Sequence, residues 1–259
     1  IVLIAGLAYY SLLSKYGELW SSIDETDDVA QLKYTVSILI PFRNEVEKLP
    51  SLLSSFQALN FAAHSVQILL VNDYSTDGGE KVIEEYAGEL DIQLINQMKG
   101  VGKKAAIRTG WKACTGDIII QTDADCSLPT HWLSAMLAPF SNGDISLACG
   151  PVQFHRSTNF WQRILALDFE ALIAIGAAHI HWKKPMICNA ANLAYRKSLI
   201  ADADLNERAA SGDDVFLLQS AHHQNPNGIV FVKNKKAIVK TEGPSSFSSF
   251  WHQRLRWAS

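Results

Sequence analysis

The run "TGDIIIQTDADCSLP" ends an apolar, β-branched stretch on two aspartates one residue apart, Asp123 and Asp125. In an extended chain, side chains two apart share a face, so a strand continuing that far would project both carboxylates together. Like charges at that spacing raise each other's pKa unless a cation or hydrogen-bond donors hold them ionised. The spacing therefore asks what sits between them. Other groups capable of chemistry are the pair Asp213–Asp214 in "SGDDVFLL", the lysines of "KGVGKKAAIRTG", and Asp73 and Asp77 in "NDYSTDGG".

Each motif also has a plain structural explanation. Acidic residues in a first helical turn are stabilised by the helix dipole, which accounts for Asp213 and Asp214. Asp, Ser and Gly are turn formers, and Asp77 can cap the helix that follows. "KGVGKKA" fails as a P-loop, because Gln97 stands where the first glycine belongs and Lys104 where serine or threonine would bind magnesium. Gly100, Gly102 and Ala105 do match G-x-G-x-x-A, the basis for a dinucleotide-dependent oxidoreductase, but they follow the third strand and not the first. "QRLRW" reads alone as a solvated basic face with one packed tryptophan.

The elements that position these groups alternate. "TVSILIPF", "VQILLVND", "IQLIN" and "DIIIQTD" are apolar strands, separated by helical "EVEKLPSLLSSFQAL", "GGEKVIEEYAGEL" and "KKAAIRTGWKAC". This pattern predicts a parallel sheet covered by helices, with ligands beyond the carboxyl ends of the strands. "PFRNE", "NDYSTDGG" and "DADC" all fall there. Farther on, "SLACGPVQF" and "CNAANLAYR" read as interrupted strands. "SGDDVFLLQSAHH" reads as a helix capped by Ser211, with Asp214 at its third position. "GIVFV" and "KAIVKT" are short strands able to pair through "KNK", and "SSFSSFWHQRLRWAS" is a final helix.

The 259 residues suit one large α/β domain, and the 48% apolar and 19% charged content fit a well-filled core. A net charge of −3 gives no general attraction for nucleic acid. The four cysteines are widely spaced and indicate a reduced, intracellular protein, and "HIHW" and "HHQ" lack zinc-ligand spacing. The opening "IVLIAGLAYYSLLSKYG" predicts a transmembrane or membrane-proximal helix cut by the start of the chain, with Tyr9, Tyr10 and Trp20 at the interface and Lys15 on the cytoplasmic side. Residues 1–33 are thus expected to be that helix and an acidic linker, and 34–259 the catalytic domain. "ILALDFEALIAIGAAHIHW" carries Asp168 and Glu170, which argues against a second span. It reads as a buried helix or one lying against the bilayer surface.

The joint order "IPFRNE", "NDYSTDGG", "GKKAAIRTG", "DADC", "CNAANLAYRK", "SGDD", "QRLRW" resembles family-2 glycosyltransferases of the α/β GT-A fold, from Tyr34 to Trp257. The likeness is strongest to the membrane-attached branch that includes cellulose and hyaluronan synthases. The resemblance implies an inverting transfer from a nucleotide-diphosphate sugar, a uridine diphosphate sugar by expectation, to a saccharide or lipid acceptor. It also implies a cell-membrane location with the catalytic domain on the cytoplasmic side.

By the same resemblance Asp73 holds the donor's base, Asp77 supports that loop, and the segment with Pro41, Arg43 and Glu45 floors the nucleotide pocket. Lys103 matches a donor-site lysine. Asp123 and Asp125 carry a Mg2+ or Mn2+ ion that bridges the diphosphate, Asp123 also lying near the ribose. Arg256 contacts the diphosphate, Gln253 fixes the donor, and Asp214 is the general base. Trp257, Asp213 and Asn192 belong to the acceptor side, Asn192 within the "NAAN" turn. The chain departs from the pattern in two places: "GDD" stands where many members have "TED", although hyaluronan synthases share it, and Arg108 stands where asparagine is usual. Because the chain stops two residues after Trp257, a catalytic domain trimmed at both ends is expected. The alternative is a catalytically silent nucleotide-binding or scaffolding module of the same fold.

Overall fold

The computed structural model describes residues 2–26, 33–61, 64–86, 88, 90–155, 159–202 and 213–258, excluding the side chains of 2–5, 8, 201–202, 213 and 256–258. Its centre is a seven-stranded sheet ordered β3-β2-β1-β4-β7-β5-β8. The strands are β1 (Thr35–Phe42), β2 (Ser65–Asn72), β3 (Ile92–Asn96), β4 (Ile118–Gln121), β5 (Leu147–Cys149), β7 (Leu193–Arg196) and β8 (Ile229–Phe231). β7 alone runs against its neighbours, so the expected mostly parallel sheet is what forms.

The central strands are apolar throughout because helices cover both faces. Ile38 and Ile40 join a core with Leu52, Leu53 and Phe56 of α2 (Leu49–Gln57). Leu39, Leu69 and Val71 point the other way, toward Ala106 and Ile107 of α4 (Lys103–Ala113). α3 is Gly79–Tyr86 and α5 is Trp132–Leu137. α2 begins later than the sequence pattern suggests, because Pro50 sits in its first turn, where a missing N–H costs nothing.

Two expectations are corrected. β4 ends at Gln121, and Asp123–Asp125 form a turn in which the Cys126 amide donates to the Asp123 carbonyl at 3.2 Å. The carboxylates are thus not on a strand face. The "GIVFV" and "KAIVKT" strands also do not pair with each other. β8 joins β5, whereas β9 (Val239–Thr241) pairs in parallel with β6 (Val152–Phe154) in a separate two-stranded sheet. The chain between β8 and β9 makes a 3-10 turn at Lys235–Ala237 instead of a hairpin.

The long apolar run forms α6 (Phe160–His181), which by length and composition alone could cross a membrane. Its later half is buried against the sheet and against α1 (Val2–Ser22). The histidines there are hydrogen-bond partners: Tyr16 Oη meets His179 Nε2 at 3.0 Å and Ser22 Oγ meets His181 Nε2 at 3.1 Å. α7 (Asp213–Gln224) and α8 (Phe247–Ala258) complete the chain, and Ser211 lies outside the described residues. No disulfide joins the four cysteines.

Candidate active site

Parallel register aligns the strand ends: Phe42 of β1 lies beside Asn72 of β2, so Arg43 and Asp73 leave the sheet side by side. Arg43 Nη1 is 3.8 Å from Asp73 Oδ2. Asp73 is 4% exposed, and both its oxygens accept the Gly102 amide at 3.0 Å. Gly102 holds φ at +98°, which favours glycine, and stands directly before α4. The glycine turn thus seats α4 on the β2 loop. Asp77 ties two loops together, accepting from the Val46 amide at 2.8 Å and the Gly79 amide at 3.1 Å, and it does not line the cleft.

One cavity of about 730 Å³ opens at these strand ends. Pro41, Arg43, Glu45, Asp73, Lys103, Asp123, Asp125, Asp214 and Gln253 all line it. Lys103 Nζ pairs with Asp123 Oδ1 at 2.7 Å. Asp125 Oδ2 accepts from Thr241 Oγ1 at 2.9 Å. Burial, and then the Asp123 charge, push the Asp125 carboxyl above its ordinary range, against the pull of Thr241, Lys48 and Lys103. Glu45 is raised by burial too, its 2.9 Å pair with Lys48 pulling the other way, and it feels the charges of Asp125 and Asp123.

Among the described residues, no three His, Cys, Asp or Glu groups converge to enclose a metal. The donor set still suits a hard cation of the open kind, held by one or two carboxylates and completed by substrate phosphates. Mutually repelling carboxylates in a half-buried cleft are what such a cation would relieve.

Asp214 opens α7 beside the 3-10 turn Ala190–Asn192. Its Oδ2 accepts from the Ala190 amide at 3.3 Å and its Oδ1 from the Val215 amide at 2.8 Å. Those neutral donors fix the carboxylate's position within the cleft. Gln253 Oε1 is a buried acceptor without a partner among the described residues.

Asn192 is a correction. It is fully buried and fully used: Trp132 Nε1 donates to its Oδ1 at 2.9 Å, and its Nδ2 donates to the Pro151 and Ala237 carbonyls at 2.9 and 2.8 Å. A Cβ at Gly150 would collide with that amide. Asn192 braces the turn from behind, while Asn189, Ala190 and Ala191 face the cleft. The side chains of Asp213, Arg256 and Trp257 lie outside the described residues.

Sequence reasoning missed Thr241 and the α6 wall, formed by Phe169, Ile173, Gly176 and Ile180. No motif marks Thr241, which reaches Asp125 where Lys240 of β9 bridges to Ser127 in the segment after β4. The wall was legible as an apolar helix, without any sign of which face meets the cleft.

A family model described as glycosyl transferase family 2 matches residues 37–202. An undecaprenyl-phosphate 4-deoxy-4-formamido-L-arabinose transferase of Pseudomonas fluorescens is 34% identical over 113 residues, 42% of this chain and 33% of its own length. Glycosyltransferase AglE of Haloferax volcanii is 27% identical over 120 residues, 46% of this chain and 40% of its own. The match to each of these relatives thus spans well under half of the relative's length.

Among solved structures, the mannosyltransferase PcManGT from Pyrobaculum calidifontis, in complex with GDP-Man and Mn2+, superposes with a TM-score of 0.73 at 17% identity, covering 99% of this chain and 71% of that one. S. aureus TarS in complex with UDP-GlcNAc gives 0.61 at 17%, covering 83% of this chain and 60% of that one. At such identities these two establish the fold, that of the GT-A glycosyltransferases. With the family model matched across the sheet and the strand-end loops, this chain belongs to glycosyl transferase family 2.

Proposed function

We propose that the chain is a metal-dependent, inverting glycosyltransferase of the membrane-attached branch, moving a sugar from a nucleotide-diphosphate donor, a uridine diphosphate sugar, to an acceptor hydroxyl. Residues 34–259 form its catalytic domain, and residues 1–33 its membrane-proximal helix and linker. The observation that carries this reading is the meeting of Asp73, Lys103, Asp123, Asp125 and Asp214 around one cavity.

In this account Asp73 and Arg43 bind the donor's base on the floor that Pro41 and Glu45 build, and Asp77 keeps the loop in shape. A Mg2+ or Mn2+ ion on Asp123 and Asp125 supplies positive charge to the departing diphosphate when bound. Lys103 and Arg256 add charge-assisted contacts to the same phosphates, and the unpartnered Gln253 acceptor takes a donor hydroxyl. Asp214 removes the acceptor's proton as that oxygen attacks the anomeric carbon and the bond to diphosphate breaks, inverting the configuration. Trp257 and Asp213 are assigned to the acceptor by the family resemblance alone.

Beside its carboxylates and Lys103, the cavity is also lined by Phe154, Phe169, Ile173 and Ile187. Such a wall suits the chain of a lipid acceptor better than a polysaccharide, whose hydroxyls need partners. The name of the Pseudomonas relative also points to a lipid acceptor, there a phosphate in place of a hydroxyl. Membrane association, with the catalytic domain on the cytoplasmic side, is part of the same proposal. Calorimetry of a uridine diphosphate sugar with Mn2+ tests the reading: Asp125→Ala is expected to abolish metal-dependent binding, and unchanged affinity would refute it.

A further inference from the structure

α6 carries a second surface unconnected with the chemistry above. Phe160, Trp161 and Leu167 are 72%, 68% and 69% exposed, and Ile164 is exposed too. At 3.6 residues per turn, Trp182 stands about five full turns beyond Ile164, and it caps the helix with near-helical angles, φ −72° and ψ −1°. Trp182 therefore repeats the azimuth of Ile164, and the other three side chains fall within roughly 60° of it. The exposed apolar side chains thus form one stripe along the first half of the helix, and it resumes at Trp182 beyond the buried Ala178 and His179.

The far end of that stripe is basic. Lys15 Nζ of α1 lies 3.9 Å from the centre of the Trp182 ring, and Lys184 Nζ lies 4.8 Å from it. Lys183 is the exposed residue between them in sequence, and Glu18, one turn along α1, is the nearest acid in sequence to Lys15. Two ammonium groups drawn to one ring repel each other, and an anion relieves that repulsion. Asp168, the acidic residue within the stripe, is paired with Arg254 of α8. From this corner the exposed Met186 and Ile187 lead to the cleft, which Ile187 also lines. On the other side the exposed Leu7, Tyr9 and Tyr10 of α1 continue the apolar surface.

We propose that this face of α6, with the Lys15–Lys183–Lys184 corner, docks on the surface of an anionic phospholipid bilayer. Aromatic and aliphatic side chains enter the acyl boundary while the lysines meet the headgroups, an arrangement that fits a helix lying in the interface plane. The cleft mouth at Ile187 then opens at the level where a lipid acceptor resides. The inference builds on the lipid-acceptor reading but is tested apart from it, because vesicle binding needs neither donor nor transfer.

The experiment is co-sedimentation of the whole chain with vesicles of phosphatidylcholine alone or with about one third phosphatidylglycerol, at low and high salt. Wild type should prefer the anionic vesicles and lose the preference as salt screens the lysines. The triple variant Lys15→Gln, Lys183→Gln, Lys184→Gln should bind anionic vesicles roughly 100-fold more weakly, at about one factor of five per lysine. Trp161→Ser with Ile164→Ser should weaken binding to both vesicle types. Donor affinity, measured by calorimetry in the same variants, should stay at the wild-type value. Equal binding of wild type and triple variant to anionic vesicles, no vesicle binding by wild type, or burial of the stripe in a self-associated dimer would overturn the proposal.

Discussion

Lys103, at the start of α4, and Asp123, in the turn after β4, form a 2.7 Å ion pair inside the cavity. The pair joins the glycine turn seated on Asp73 to the carboxylates assigned to the cation. A donor diphosphate competes with Asp123 for the ammonium. Lys103→Met should therefore weaken donor binding in the presence of Mn2+ by roughly tenfold or more, the scale of one charge-assisted hydrogen bond. Mn2+ binding without nucleotide, followed by electron paramagnetic resonance, should not weaken, because the variant frees Asp123. A variant that loses metal but keeps donor would reverse the assigned roles.

The raised Asp125 carboxyl makes a prediction about stability in the absence of metal and donor. A carboxyl whose native pKa lies above the ordinary 3.8 contributes stability that is full below that value and is lost as pH rises through the native one. Asp125→Asn removes the loss. Its melting temperature relative to wild type should therefore increase between about pH 3.5 and pH 7. An advantage that stays constant with pH would mean that burial and the Asp123 charge do not act as described.

Thr241 donates to Asp125 at 2.9 Å and lowers its pKa against the effect of burial. Thr241→Val keeps the shape and removes the donor. Metal-dependent donor binding should fall by about 10- to 150-fold, the net worth of one hydrogen bond to a charged group, and more steeply below neutral pH. Titration calorimetry at two pH values checks both the size and the trend.

Asn192→Ala separates a brace from a substrate contact. It strands the Trp132 indole N–H and the Pro151 and Ala237 carbonyls, each at a cost of about 1–3 kcal/mol. Urea unfolding should show a loss of about 3 kcal/mol or more, while the folded fraction keeps its donor affinity.

The sheet was legible because strands covered on both faces read as unbroken apolar runs, as in Ile38–Ile40 and Ile118–Ile120. The strand-end loops were legible because parallel register delivers Arg43, Asp73 and Asp123 to one edge. The short later strands were not, since three-residue segments such as β8 and β9 carry no periodicity and their partners depend on where the Gly150–Pro151 bend sends the chain. Asn192 was misassigned because a motif gives a residue's neighbourhood but not the side its amide faces. Thr241 was missed because its partner is distant in sequence.

Asp214, the proposed base, lines the same cavity as Asp123 and Asp125, the proposed cation ligands. The most direct measurement is single-turnover sugar transfer by Asp214→Asn, with donor affinity determined on the same sample. The prediction is a donor dissociation constant unchanged within about twofold and a transfer rate lower by roughly 10²–10⁴-fold. Transfer at the wild-type rate would contradict it, and would point instead to an acceptor already ionised, such as a lipid phosphate.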